Sequence, residues 1–407
     1  MNKKEMQSSS AVMDQARLTW LDPIKGIAIL GIVLYHTAIA LFGIPPFDHP
    51  KDDWLPLLDR LAQLQPWPND RIIPFLILNL FRDIGWLGYQ GVHLFLVLSG
   101  FGLTWSIARQ SPTSDVNIKQ FFQRRLWRIF PLFWMGHIFF LFFHALTGQP
   151  DISIDDPRFY LSLIGFRFFP ETFYYVASAW WYVGLILQLY LVFPLLWAWL
   201  HRQGLWPFGI GTAAITLFSR YALLMVVSSN HEMWSMGVLF VTRLFEFTFG
   251  MGLAYWLARR PQGFEDLRQN RWLLAGAVLL YLLALSLSFT LAGSLVAHSL
   301  LAVSLFWISY NLMQSGLLLF KPLNHTLTWL GRQSYGLMIL HQPLLWWFIA
   351  WGLPRVQPYI LFLGLLISFL ILTILGAAVF STIVDRLSDK LTQTLAGLGP
   401  LLGRRVV

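Results

Sequence analysis

A lysine and a histidine interrupt the first apolar run of this chain. Residues 20–42 read Trp-Leu-Asp-Pro-Ile-Lys-Gly-Ile-Ala-Ile-Leu-Gly-Ile-Val-Leu-Tyr-His-Thr-Ala-Ile-Ala-Leu-Phe, with Lys25 near the start and His36 well inside. Eleven residues separate the two, about three turns of an α-helix. Both side chains therefore fall on nearly one face, with a rise of roughly 16 Å between them. The run is long enough to span a bilayer. Ionisable groups at that depth are costly and usually face a polar cavity or a neighbouring helix rather than lipid. His36 thus has two readings. It is an imidazole hydrogen-bonded to a neighbouring helix, or a group that titrates near neutrality in a polar cavity.

Three arginines, Arg124, Arg125 and Arg128, fall together in Phe-Phe-Gln-Arg-Arg-Leu-Trp-Arg-Ile-Phe-Pro, at the mouth of a later apolar run. Guanidinium forks match phosphate oxygens. The same charges also suit lipid headgroups on the inner side of a membrane, and composition alone favours that reading. Arg243 and Glu246 stand three residues apart inside another apolar stretch, a spacing that lets them pair on one helix face. Arg220 is a candidate third member of that pair. His93, His137, His144, His298 and His341 lie in or near apolar runs, and each alone reads as a packed, hydrogen-bonded residue. No histidine pair has the short spacing of a zinc site and no His-Glu-x-x-His run occurs, so no metal is expected. The chain has no cysteine, which removes disulfides and a cysteinyl acyl-enzyme. Ser99 lacks the Gly-x-Ser-x-Gly elbow, and no Walker loop is present for an ATP-driven pump.

The elements that must position these groups are membrane helices. Of 407 residues, 56% are hydrophobic and 12% charged, against about a quarter charged in average soluble proteins. Twenty tryptophans and 34 phenylalanines suit helices with aromatic belts at the interfaces. Apolar runs at about 20–42, 84–107, 126–147, 180–200, 207–228, 236–258, 271–291, 294–313, 327–351 and 358–384 give about ten transmembrane helices. With the N-terminus inside, basic segments at 109–128, 201–202, 259–271, 321 and the C-terminus all fall on the inner side. The acidic segments at 43–83 and 148–178 then fall outside. The net charge of +9 follows this bias, so no nucleic-acid partner is expected.

The expected fold is all-α: a polytopic membrane helical bundle with both termini cytoplasmic, around a polar cavity lined by the first few helices. Residues 1–19 and 386–407 are read as cytoplasmic tails flanking a membrane domain at 20–385. The polar first 19 residues do not read as a cleavable signal peptide. Trp54, Trp67, Tyr174 and Tyr175 in the outer segments are interface anchors or glycan-facing surfaces, with anchors slightly favoured.

Several stretches, in order along residues 20–345, together resemble the acyltransferase-3 family of bacterial membrane acyltransferases. Leu21-Asp22-Pro23-Ile24-Lys25-Gly26 running to His36 is similar to its first-helix motif. Gly91-Val92-His93-Leu94-Phe95 through Ser99-Gly100-Phe101 is similar to its Gly-Val-Asp-x-Phe-Phe-Val-x-Ser-Gly-Phe motif. Arg125-x-x-Arg128 resembles its Arg-x-x-Arg segment. The stretch from Trp181 to Pro194, the set Arg243, Phe247 and Gly250, and Leu330 through Pro343 resemble three later motifs. Lys25 stands where an arginine is usual, His93 where an aspartate is usual, and Ile186 and Leu187 where paired glutamates are usual.

The resemblance implies O-acyl transfer, commonly of acetyl, from cytoplasmic acyl-CoA to a hydroxyl of a cell-envelope or exported carbohydrate. Acyl-CoA would be a co-substrate, with no cofactor bound permanently, and the site would lie in the bacterial inner membrane. On this reading His36 is the general base, Lys25 orients the donor or stabilises charge, and Arg124, Arg125 and Arg128 hold the donor phosphates. Direct attack needs no acyl-enzyme, although an acyl-histidine is also open. The alternative is a non-catalytic exporter of a glycan or lipid-linked sugar, which would not respond to coenzyme A. A purely structural scaffold accounts for neither the Lys25–His36 face nor the ordered motifs.

Overall fold

In a lipid interior each backbone amide must be bonded within its own segment, so long apolar runs cross as helices. The computed structural model describes residues 18–43, 80–108, 116–227, 231–260, 262–268, 270–315, 320–357 and 359–397. Among these residues the fold is all-helical, without strands. The long helices are α1 (Leu21–Phe42), α2 (Gly91–Ala108), α3 (Ile118–Thr147), α4 (Trp181–Gln203), α5 (Leu205–Tyr221) and α6 (Leu244–Arg259). They continue with α7 (Arg271–Ser288), α8 (Leu291–Ser315), α9 (Lys321–Arg332), α10 (Ser334–Gly352) and α11 (Tyr359–Gly397). Eight stretches among the described residues are long and apolar enough to cross a membrane. The two other expected spans correspond to α6, which is 16 residues long, and α10, which carries His341 and Gln342 in its middle.

Burial separates central helices from peripheral ones. The apolar windows of α1 and of the Leu80–Ala108 stretch are 61% buried, against 17% for α7 and 22% for α5 and α11. α1 and α2 therefore form the centre. The outer helices turn side chains such as Phe218, Leu279 and Leu372 away from the protein, as lipid-facing helices must.

Glycines set the close crossings at that centre. A Cβ on Gly100 of α2 would collide with the Phe247 carbonyl oxygen of α6, and one on Gly250 with the Val97 carbonyl oxygen. Small residues let membrane helices approach closely where apolar burial supplies no driving force between them.

The expected span at 236–258 is corrected by a break. Gly237 adopts φ +106°, a 3₁₀ turn covers Phe240–Arg243, and α6 begins at Leu244. Gln188 of α4 makes the irregular backbone tolerable. Its Nε2 donates to the Val238 carbonyl at 3.0 Å, and its Oε1 accepts from the Phe240 N–H at 3.1 Å. Non-helical backbone at membrane depth persists where protein groups satisfy it in this way. At the other end of the chain α11 runs on to Gly397, so the tail boundary expected at 386 falls inside a helix. No proline or glycine stands between Arg386 and Ala396 to stop it. The first 17 residues, Trp54, Trp67 and most of the 43–83 segment lie outside the described residues.

The crossing at α2 and α6 gives a direct test. Gly250→Ala should lower stability by about 1–3 kcal/mol through overpacking. Gly252→Ala, whose Cβ would meet Leu205 Cδ2 at 3.5 Å, should cost much less in the same thermal melts in detergent.

Candidate active site

α1 presents Ile32, Tyr35, His36 and Ile39 on one face, the i, i+3, i+4, i+7 pattern of a helical stripe. That stripe forms one wall of a cavity of about 870 Å³. α10 supplies the facing wall with Gln342, Pro343, Trp346 and Trp347, and Tyr89, Trp181, Arg243 and His298 complete much of the lining. Tyr174, Val176, Ala177 and Ser178 cover it from the segment between α3 and α4. The cavity also touches Gln149 and Pro150, just beyond the C-terminal end of α3. Arg124, Arg125 and Arg128 stand near the other end of α3.

His36 is 8% exposed and His341, on α10, is 0% exposed. His341 Nε2 lies 3.0 Å from His36 Nδ1. The backbone fixes which nitrogens carry protons. His341 Nδ1 is 2.6 Å from the Leu337 carbonyl, so it donates there. Its Nε2 then carries a lone pair in the neutral ring and accepts from the N–H at His36 Nδ1. The same His36 N–H also faces the Ile32 carbonyl at 3.0 Å. In this tautomer His36 Nε2 is the basic nitrogen, assigned from the hydrogen-bond network. His341 is packed and hydrogen-bonded, as the sequence reading has it, and the partner that reading did not name is His36. His341 lies near the end of the Leu330–Pro343 stretch that resembles a family motif, but nothing in that stretch points to His36.

A carbonyl freed by a proline helps to lock α10. Pro343 has no N–H, so the Ile339 carbonyl loses its intrahelical partner. The Trp180 indole donates to it at 2.9 Å. Gln342, one residue before the proline, accepts from the Ala179 N–H at 2.7 Å and donates to Ser178 Oγ. These bonds set the register of α10 against the start of α4 and hold His341 toward α1.

The segment over the cavity is held by one buried arginine. Arg167 Nη1 donates to the Thr172 carbonyl at 2.6 Å and to the Tyr175 carbonyl at 2.8 Å. Its Nη2 donates to Ser162 Oγ, which also lies 2.7 Å from His137 Nε2. Burial pushes the Arg167 guanidinium down to about 9, so it remains charged at neutral pH. The next residue after Tyr175, Val176, adopts φ +65°, an unusual conformation for a β-branched side chain, at the cavity wall.

A second polar cluster borders the cavity. Arg243 Nη1 lies 3.4 Å from Glu246 Oε1, so the three-residue spacing does form an ion pair. Arg220 joins through His298: its Nη1 is 3.2 Å from His298 Nδ1, which also receives Arg243 Nη1. His93 Nδ1 lies 3.4 Å from Glu246 Oε2. Thus at the position where the resembled motif carries an aspartate, an imidazole faces a carboxylate supplied by α6. Ile186 and Leu187 instead belong to the apolar core.

The structure separates His36 from the other expected site residues. Lys25 is three turns back along α1, where its Nζ pairs with Asp22 Oδ1 at 3.2 Å. Asp22 Oδ2 also reaches Arg332 Nε of α9 at 3.4 Å. Arg124 and Arg128 are exposed, and Arg125 is half-buried beside Tyr190, with its guanidinium 6.0 Å from the Phe121 ring centre. None of Lys25, Arg124, Arg125 and Arg128 lines the cavity.

Replacing Arg167 by methionine should leave the Thr172 and Tyr175 carbonyls without their donor. The expected cost is about 1.5–3 kcal/mol, the size of hydrogen bonds to a charged group. Limited proteolysis should then cut between residues 149 and 177 faster than in the wild type.

No curated protein and no solved structure matches the chain. The sequence pattern of an acyltransferase domain, Acyl_transf_3, matches residues 18–382, nearly the whole chain. That span takes in α1, the cavity-lining residues and the arginines of α3, and the chain belongs to the acyltransferase-3 family of membrane acyltransferases.

Proposed function

We propose that this acyltransferase moves an acyl group, most simply acetyl, from cytoplasmic acyl-CoA to a hydroxyl of a cell-envelope or exported carbohydrate at the bacterial inner membrane. The observation that carries the reading is the His36–His341 pair on the wall of a cavity of about 870 Å³. That volume lies within the usual range for small-molecule sites, about 300–1,000 Å³. Tyr35, Tyr89, Trp181 and Trp346 offer aromatic faces to a sugar ring.

The chemistry follows from the tautomer. His36 Nε2 takes the proton of an acceptor hydroxyl as its oxygen attacks the thioester carbonyl carbon. The tetrahedral intermediate collapses with loss of the thiolate, and the imidazolium returns the proton to sulfur. The new ester leaves with the sugar, and free coenzyme A remains. While His36 is charged, the His341 Nε2 lone pair stabilises its Nδ1–H. Lys25 lies about 16 Å from His36 on the same helix, toward the arginines. With the N-terminus inside, Lys25, Arg124, Arg125 and Arg128 supply positive charge for the donor phosphates, and the pantetheine arm runs from there toward His36.

Coenzyme A binding to the purified protein in nanodiscs tests the donor half of this reading. Wild type should bind acetyl-CoA, and Arg125→Ala should weaken binding about tenfold or more, the loss of one charge-assisted contact. A folded wild type that ignores coenzyme A would shift the reading to glycan export.

A further inference from the structure

The 3₁₀ turn Ser178–Trp180 meets α10 beside the histidine pair, and a backbone amide fixes the direction of the hydrogen bonds there. The Ala179 N–H can only donate, so the Gln342 atom it meets at 2.7 Å is the carbonyl oxygen, Oε1. The amide nitrogen Nε2 of Gln342 is then the atom at Ser178 Oγ, and it too can only donate. Ser178 Oγ therefore accepts, and its own proton points elsewhere. Among the described residues, Gln342 is the one hydrogen-bond partner of that oxygen. Ser178 is half-buried and lines the cavity, so its O–H is presented to whatever the cavity holds. The same direction argues against Ser178 as a nucleophile, since among the described residues no base takes its proton. His341, the residue before Gln342, reaches His36. His36 and Ser178 thus meet α10 at consecutive residues, on the wall of one cavity. The turn leads directly into α4, so the positive end of that helix dipole lies at the same place.

We propose that the Ser178 hydroxyl is the oxyanion donor of the acyl transfer, set on the thioester carbonyl oxygen while His36 handles the acceptor proton. This role rests on the acyl-transfer reading. As the acceptor oxygen bonds to the carbonyl carbon, the π pair of the C=O moves onto its oxygen. Ser178 Oγ–H donates a hydrogen bond to that developing charge and keeps its proton. On collapse the C=O re-forms, the C–S bond breaks, and the thiolate takes the proton held by His36. A donor aimed before the reaction needs no reorganisation as charge develops, which is where such groups gain their effect. Gln342 is 1% exposed, and its bond to the Ala179 N–H holds the amide that keeps the Ser178 proton turned outward.

The test follows turnover of acetyl-CoA by the full chain in nanodiscs, read as loss of the thioester's ultraviolet absorbance. Water serves as the first acceptor, because it needs no glycan site, and p-nitrophenyl glycosides follow. Ser178→Ala should lower kcat by about 100-fold or more, the usual loss for one oxyanion donor. The KM for acetyl-CoA should stay within about twofold, as for an interaction made only in the transition state. Ser178→Cys keeps the shape with a weaker donor, so its kcat should lie between the two, and it decides the matter if Ser178→Ala does not fold. Intact mass of the wild type during turnover should show no acetyl on the protein. A wild-type kcat in folded Ser178→Ala or Ser178→Cys, a rise in KM alone, or acetylated Ser178 would overturn the assignment. Turnover lost in His36→Ala but kept in Ser178→Ala leaves the acyl-transfer reading standing without this donor. Acetyl-CoA left intact by the wild type with every acceptor removes both.

Discussion

A hydrogen bond between two imidazoles joins α1 to α10, and the rest of the site is arranged so that it can form. Inside a membrane a histidine side chain has few partners, and each nitrogen needs one. His341 meets this need with the Leu337 carbonyl on one side and His36 on the other. α10 is held for the purpose by Trp180 at the carbonyl that Pro343 frees, and by Gln342 at the start of α4. α1 is held by its close crossing with α9, where Gly26 meets the Leu327 carbonyl and Gly331 the Asp22 carbonyl. Proline, glycine and glutamine, each poorly suited to a plain apolar helix, serve here to aim one ring at another.

The same economy governs the other polar groups. Gln188 satisfies the break before α6, Arg167 gathers the carbonyls of the segment over the cavity, and Glu246 faces both Arg243 and His93. In each case a long side chain from one element satisfies backbone or charge on another. Such groups are costly when unmatched, so their pairing fixes register as well as chemistry.

Much of the fold was legible in the sequence because a bilayer constrains it strongly. Apolar runs of the required length marked the helices, and the polar interruption at His36 marked the cavity wall. The three-residue spacing of Arg243 and Glu246 gave their pairing. What was not legible depends on contacts between distant positions. His36 and His341 are 305 residues apart, and no periodicity links them. The break at Gly237–Arg243 lay hidden within an apolar run because the Gln188 side chain that supports it comes from another helix. The cytoplasmic tail expected from residue 386 begins within α11, which continues to Gly397 because a drop in hydropathy is not a helix stop. The arginines of α3 were read as a group at the mouth of a span, apart from His36, and the structure keeps all three off the cavity lining.

The most direct measurement is transfer of radiolabelled acetyl from acetyl-CoA to a panel of p-nitrophenyl glycosides by wild type, His36→Ala and His341→Gln. The rate should fall by about 100-fold or more in His36→Ala, the usual contribution of a general base, with folding and coenzyme A binding retained. His341→Gln keeps an oxygen that can accept from His36, so it should retain more activity than His36→Ala. Undiminished transfer by a folded His36→Ala protein would contradict the account.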